Sequence, residues 1–197
     1  MNVKLLTSTE ALHDMENFAA LAYLTCHANT DKEYVPHEKL ERAIKDRHES
    51  ILEHINLTFS IHVLSRACLQ ELARHRHISL SVESTRHTLK KQLKDIRFFD
   101  ELPKEYLNLA QSFAIFAATT PDMPNDELKY YLPEFWPTNL IITLNIREFR
   151  HILKLRTAPA ALKEFRILAR SMFYEVPEQF RYLLQDCVHD EADNNIN

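Results

Sequence analysis

Glycine is absent from all 197 residues of this chain, where average usage of about 7% would supply roughly 14. Glycine is the residue that enters left-handed backbone without steric cost, so every turn must be made with a Cβ in place. Whole classes of function are excluded with it. A phosphate-binding P-loop and a dinucleotide G-x-G-x-x-G turn both need bare backbone beside the phosphates. A G-x-S-x-G nucleophile elbow is excluded on the same ground. A nucleotide bound by this chain is therefore held by side chains.

The rest of the composition suits a folded domain, with 45% hydrophobic and 26% charged residues. Residues 1–189 are expected to form one domain and the polar, acidic residues 190–197 a disordered tail. A net charge of −4 gives no general attraction for nucleic acid or anionic membrane, so neither is expected as a partner. No apolar run approaches the ~18 residues of a membrane span, and residues 1–18 carry charges throughout instead of a signal-peptide core. Cys26, Cys68 and Cys187 are odd in number and far apart. They read as free thiols in a reducing compartment, and a cytoplasmic location is expected.

Periodicity predicts a helix-rich α/β (α+β) domain around a small sheet. Residues 2–6 suit a short strand, and Thr7 with Glu10 suits a capping box ahead of Leu12, Met15, Phe18, Ala19 and Ala22 at helical spacing. Pro36 suits the first position of a second helix carrying Leu40, Ala43 and Ile44. Residues 51–63 alternate, with Ile51, Ile55, Leu57, Phe59, Ile61 and Val63 on the apolar side, and predict a long strand. A helix is predicted from Leu64 to about Arg74–Arg76, and residues 87–103 read as polar and irregular. Leu102, Tyr106, Leu109, Phe113 and Phe116 predict a further helix, Thr138–Leu144 a second strand, and Arg147–Leu155 a helix after it. Thr157 is placed to cap a last helix whose buried face would be Ala161, Leu162, Phe165, Leu168, Met172 and Val176.

Positive charge is concentrated. Residues 66–97 hold eight Lys or Arg against three acidic residues, +5 within a chain of −4. The densest part is Arg74-His75-Arg76-His77, followed by Ser79, Ser81, Ser84 and Arg86. Arginine forks among hydroxyls are suited to phosphate, which the guanidinium grips bidentately. A second cluster comprises Asn145, Arg147, Arg150, His151, Lys154 and Arg156. Such loops are also commonly solvated surface, or a nucleotide- or RNA-binding patch. No aromatic residue lies between Arg74 and Thr88 to stack a base, however. The histidines lack H-E-x-x-H spacing, so no metal is expected.

These residues resemble a known family. Arg74-His75-Arg76, seven residues and Ser84 reproduce R-H-R-x7-S, the signature of flavin-dependent thymidylate synthases. His48-Glu49-Ser50 with Glu53-His54 is similar to the family's H-E-[ST]-x-x-E-H, Asn145-Ile146-Arg147 to its N-x-R, and Leu155-Arg156-Thr157 to its L-R-T. The resemblance runs in order from about residue 45 to 170. It implies a homotetramer with active sites shared between subunits, using FAD, NADPH and 5,10-methylenetetrahydrofolate to convert dUMP to dTMP. By motif position, His48, Ser50, Arg74, His75, Arg76, Asn145, Arg147 and His151 would meet FAD. Glu71, Arg74, Ser84, Arg86, Lys129 and Arg156 would meet dUMP, with Arg156 polarising the pyrimidine as the catalytic residue. Glu71 stands where the family commonly has Gln, Val82 where it has Glu, and Lys129 where it has Arg. A non-catalytic nucleotide- or RNA-binding module built on the Arg74–Arg86 loop is the alternative.

Overall fold

The computed structural model describes residues 1–29, 33–94, 102 and 104–189. The expected disordered tail at 190–197, and residues 95–101 and 103 of the expected irregular stretch, lie outside the described residues. Strands β1 (Asn2–Leu5), β2 (Asn56–Ser65), β3 (Ile78–Val82) and β4 (Pro137–Asn145) form an antiparallel sheet in the order β1-β2-β4-β3. Among the described residues the helices are α1 (Thr9–Cys26), α2 (Pro36–Lys45), α3 (Arg66–Leu72), α4 (Thr85–Gln92), α5 (Leu107–Thr119), α6 (Asn125–Leu128), α7 (Ile146–Arg156) and α8 (Lys163–Glu175), with short 3-10 turns between them. The fold is thus helix-rich α+β around a small antiparallel sheet, and it is not a Rossmann fold.

One face of the sheet makes the core. Leu57, Phe59 and Ile61 of β2 and Leu140, Ile142 and Leu144 of β4 pack with Leu12 and Ala19 of α1, Phe149 and Ile152 of α7, and Phe165 and Leu168 of α8. Phe59 meets Phe149 edge to face at 5.8 Å. A separate cluster joins Leu89 of α4, Ala110 and Phe113 of α5, Leu128 of α6 and the fully buried Trp136. Segments far apart in sequence meet: Leu5 N–H donates to Glu175 of α8, and the Tyr182 hydroxyl donates to the buried Glu16 of α1 at 2.5 Å.

Several sequence expectations are corrected. The predicted strand at 51–63 is a 3-10 turn over Glu49–His54 followed by β2, and its inward alternation ends at Ile61. The pairing with β4 shifts between Ile61 and Leu64, so Leu64 takes the buried position and Val63 does not. This is a β-bulge, which inserts one residue and reverses the faces beyond it. The helix predicted from Leu64 begins at Arg66 and ends at Leu72, with Ser65 Oγ capping Cys68 N–H at 3.0 Å. Part of the expected irregular stretch is α4, and β3 was not foreseen: I-S-L-S-V alternates as a strand does, but it lies inside the segment read as a basic loop.

The first helix is capped by Ser8, whose Oγ accepts from Ala11 N–H at 3.2 Å, while Thr7 Oγ1 accepts from Thr58 N–H of β2. Its buried face includes Glu16 and leaves Phe18 62% exposed, because Tyr182 satisfies the carboxylate inside. In α5 the buried residues are Ala110, Phe113 and Ala117, and Leu109 faces solvent. Thr157 closes α7 instead of opening α8: its hydroxyl donates to Leu153 C=O at 2.7 Å and accepts from His189 N–H at 3.0 Å. Leu162, expected on the buried face of the last helix, is exposed, because α8 starts only at Lys163.

Among the described residues, three occupy the left-handed region in place of glycine: Ala28 at φ 52°, Arg47 at φ 56° and Val63 at φ 59°. Ala28 follows α1, where Ala28 N–H bonds Thr25 C=O and Asn29 N–H bonds Leu24 C=O. Arg47 follows α2 with the equivalent pair, Arg47 N–H to Ile44 C=O and His48 N–H to Ala43 C=O. Both are Schellman closures, which usually place glycine at that residue. Val63 sits at the bulge, where its N–H donates to Asn139 Oδ1 at 3.1 Å.

Candidate active site

The site is built where α3 ends and α7 begins. After Leu72 the backbone turns, with His75 N–H donating to Leu72 C=O at 3.1 Å. The turn buries His75 and leaves Arg74 and Arg76 exposed on either side of it. The chain then enters β3, whose Ile78 pairs with Leu144, and so brings His77 beside the end of β4. There Asn145 caps α7, its Oδ1 accepting from Glu148 N–H at 2.8 Å.

Four side chains form a continuous line. Glu148 Oε1 lies 3.1 Å from His75 Nδ1, Arg156 Nε donates to His75 Nε2 at 3.1 Å, and Arg156 Nη1 donates to Glu71 Oε2 at 2.9 Å. The guanidinium lies over the Phe165 ring, 4.8 Å from its centre, an arrangement that suits arginine. A guanidinium has only donors, so Nε2 must be the unprotonated nitrogen and the proton sits on Nδ1, facing Glu148. His75 is therefore neutral, and its contact with Glu148 is a hydrogen bond rather than an ion pair. Burial holds His75 below the ordinary histidine value, and the Arg156 and His151 charges push the same way against the pull of Glu148.

Two hollows flank this line. A cavity of about 480 Å³ opens at its Glu148 end, lined by Glu49, Glu53, His77, Asn145, Arg147, Glu148, His151 and Lys154. A second of about 550 Å³ lies at the Arg156 end, lined by Ala67, Gln70, Glu71, Glu134, Arg156 and residues 160–162. Arg147 is held by Glu53. Arg150, almost wholly buried, is spent on structure: it binds Glu49, both oxygens of Asp186 and Leu183 C=O.

Of the residues singled out from sequence, Glu71, His75, Asn145, Arg147, His151 and Arg156 are brought together. Arg74 stands beside them, 3.9 Å from Glu71. Arg76 is exposed and has no ionic or hydrogen-bonded partner among the described residues. His48 and Ser50 flank the cavity residue Glu49, with the His48 ring 6.0 Å from that of His27. Ser84 and Arg86 lie at the far end of β3, about 13 Å along a five-residue strand. Arg86 is there engaged by both oxygens of Asp126. Lys129 follows α6 with its Nζ 5.6 Å from the centre of the Tyr130 ring. Sequence reasoning passed over Glu148. Its signal was present in Asn145-x-x-Glu148, the spacing of a helix-capping box.

Fold and site together present Arg147, Lys154 and Arg156 around two hollows, the layout of an enzyme that works with side-chain cations rather than a backbone cradle. The family described as thymidylate synthase complementing protein matches residues 4–180. The flavin-dependent thymidylate synthase of Wolinella succinogenes is 37% identical over 206 residues, 95% of this chain and all of that one. The enzyme of the same name from Campylobacter jejuni is 36% identical over 183 residues, 85% of this chain and 86% of that one. A crystal structure of the Helicobacter pylori flavin-dependent thymidylate synthase, complexed with FAD and dUMP, superposes with a TM-score of 0.81 at 28% identity. That alignment covers 96% of this chain and all of the other. The chain belongs to the flavin-dependent thymidylate synthase family.

Proposed function

We propose that this chain converts dUMP to dTMP with 5,10-methylenetetrahydrofolate as one-carbon donor and NADPH as reductant, through bound FAD. One dUMP, one methylenetetrahydrofolate, one NADPH and a proton give dTMP, tetrahydrofolate and NADP⁺. The observation that carries the reading is Arg156, fixed at both Nε and Nη1 and supported on Phe165, at the lip of a hollow. A guanidinium held in that way is preorganised to stabilise negative charge developing on a pyrimidine carbonyl, with little reorganisation during reaction.

The residues present suit FAD. Its diphosphate needs positive charge and N–H donors, and Arg147 and Lys154 line one cavity together with His77 and His151, while Arg76 stands exposed next to His77 in the chain and Arg74 beside Glu71. When bound, the flavin supplies the hydride chemistry that no side chain can. Asn145, Arg147 and His151 would hold it together with His48, Ser50, Arg74 and Arg76, with His75, expected there from its motif, standing behind them because both its ring nitrogens are engaged. Glu71, Arg74, Ser84, Arg86, Lys129 and Arg156 would take dUMP. Ser84, Arg86 and Lys129 lie away from Arg156 on one chain, which supports a site completed by a second subunit in a homotetramer. Among the described residues no helix is long and apolar enough to cross a membrane, and the proposed setting is the cytoplasm.

The experiment is a visible spectrum of the purified protein followed by a dTMP assay. An oxidised-flavin spectrum is expected, with dTMP formed only when NADPH and methylenetetrahydrofolate are both present. Arg156→Ala should lower turnover by about 10²–10³-fold while leaving the fold intact. Protein that cannot take up FAD, or an Arg156→Ala variant with near-normal turnover, contradicts the reading. The RNA-binding alternative predicts instead steeply salt-dependent polyanion binding and indifference to folate.

A further inference from the structure

Resting on that reading of Arg156, we propose that Glu148 is a positioning residue which fixes the tautomer of His75 and, through it, the aim of the Arg156 guanidinium. Glu148 and Arg156 stand eight residues apart on α7, a rise of about 12 Å. Helical side chains lean toward the N-terminus, so Arg156 reaches back along the helix and the imidazole of His75 fills the remaining gap. Contact at one ring nitrogen dictates the other. Arg156 Nε needs an acceptor at Nε2, and that requires the proton at Nδ1, where Glu148 Oε1 receives it.

In the opposite tautomer two N–H groups would face each other at Nε2, and the guanidinium would lose its anchor. Little water reaches the ring, because His75 and Glu148 are 5% and 7% exposed. Glu148 is held in turn by the Asn145 cap. The charged or titratable groups around the ring are Glu148, His151 and Arg156 from α7 and, beyond Arg156, Glu71 from α3. From α8 the ring meets Phe165, which carries no charge, at 5.9 Å. Glu148 touches no reacting atom in this account, and its effect on the reaction passes entirely through His75.

Histidine-selective ¹⁵N NMR of the holoenzyme at pH 8 tests the tautomer directly. Wild-type His75 should be neutral and protonated at Nδ1; an Nε2–H ring or an imidazolium overturns the proposal. In Glu148→Gln the amide can accept or donate, so the tautomer should become mixed. Loss of aim should lower kcat for dTMP about 10- to 100-fold while KM for dUMP moves less than about threefold. Glu148→Asp, which keeps the charge, should recover most of the loss. The acid limb of kcat should move to lower pH in Glu148→Gln, because the carboxylate that favours a charged ring is gone. Unchanged kcat, or an acid limb that stays or moves up, overturns the proposal. If Glu148→Gln does not fold, the wild-type tautomer and Glu148→Asp still decide the matter. Wild-type protein that makes no dTMP would sink the assigned reaction while leaving the tautomer measurement standing, so the two failures are distinguishable.

Discussion

Ala28→Gly should stabilise this protein, against the usual direction of an alanine-to-glycine change. Ala28 closes α1 at φ 52°, where a Cβ crowds the following carbonyl at a cost of about 1–2 kcal/mol. Glycine removes that cost but loosens the unfolded chain, which gives back about 0.4–1 kcal/mol. The net gain is about 0.5–1 kcal/mol, or a rise of roughly 1–4 °C in Tm for a chain of this size. Both closing hydrogen bonds, Ala28 N–H to Thr25 and Asn29 N–H to Leu24, use backbone alone and survive the change. Ala22→Gly, in the interior of the same helix, is the control and should cost about 0.8–1 kcal/mol. Thermal and urea midpoints, taken at one protein concentration because assembly also shifts them, should therefore move in opposite directions. If Ala28→Gly destabilises as much as Ala22→Gly, residue 28 is not left-handed and the account of how this chain dispenses with glycine fails.

Stability should also depend on pH through His75. Its native value is held below the ordinary 6.5 by burial, so the unfolded chain takes the proton first. This contribution is complete above about pH 6.5 and is lost as pH falls toward the native value; urea midpoints should drop from pH 8 to pH 6 less steeply in His75→Gln than in wild type. Arg150→Ala should cost about 3 kcal/mol in denaturant titration, because Glu49 and the Leu183 carbonyl lose a buried partner while Asp186, half exposed, turns to water. Burial pushes the Cys68 thiol up to about 12 and the Cys187 thiol up to about 11, whereas Cys26 is exposed. Iodoacetamide at pH 8 should therefore give one adduct by mass spectrometry, at Cys26.

Much of the candidate site was legible because it is proposed to work through charged residues at fixed spacing. Arg74-His75-Arg76, Asn145-x-Arg147 and Leu155-Arg156-Thr157 each stand in one short segment, and folding only had to bring the segments together. What could not be read was set by pairing across the chain. Nothing near Glu148 says that a histidine 73 residues away will present Nδ1 to it. The alternation through Val63 looked unbroken because a bulge depends on Asn139 of β4, which satisfies the displaced N–H. Phe18 and Glu16 exchanged their expected places because the partner of Glu16 comes from Tyr182, far along the chain. The basic stretch from Arg74 to Arg86 looked like one patch in sequence. Strand β3 spreads it, leaving Arg86 tied to Asp126.

The meeting of segments far apart in sequence bears on how the chain is made. Leu5 and Glu175 are 170 residues apart, and Glu16 and Tyr182 are 166 apart. Synthesis proceeds from the N-terminus at about 5–20 residues per second, so β1 and α1 emerge many seconds before the segments that lock them exist. During that interval β1 lies unsecured by α8, and the Glu16 carboxylate has no hydroxyl to bury it. Contacts of such long span also slow the closing stage of folding itself. A chain interrupted before Tyr182 would therefore carry every residue of the candidate site but lack the hydroxyl that buries Glu16, a natural substrate for chaperones and proteases.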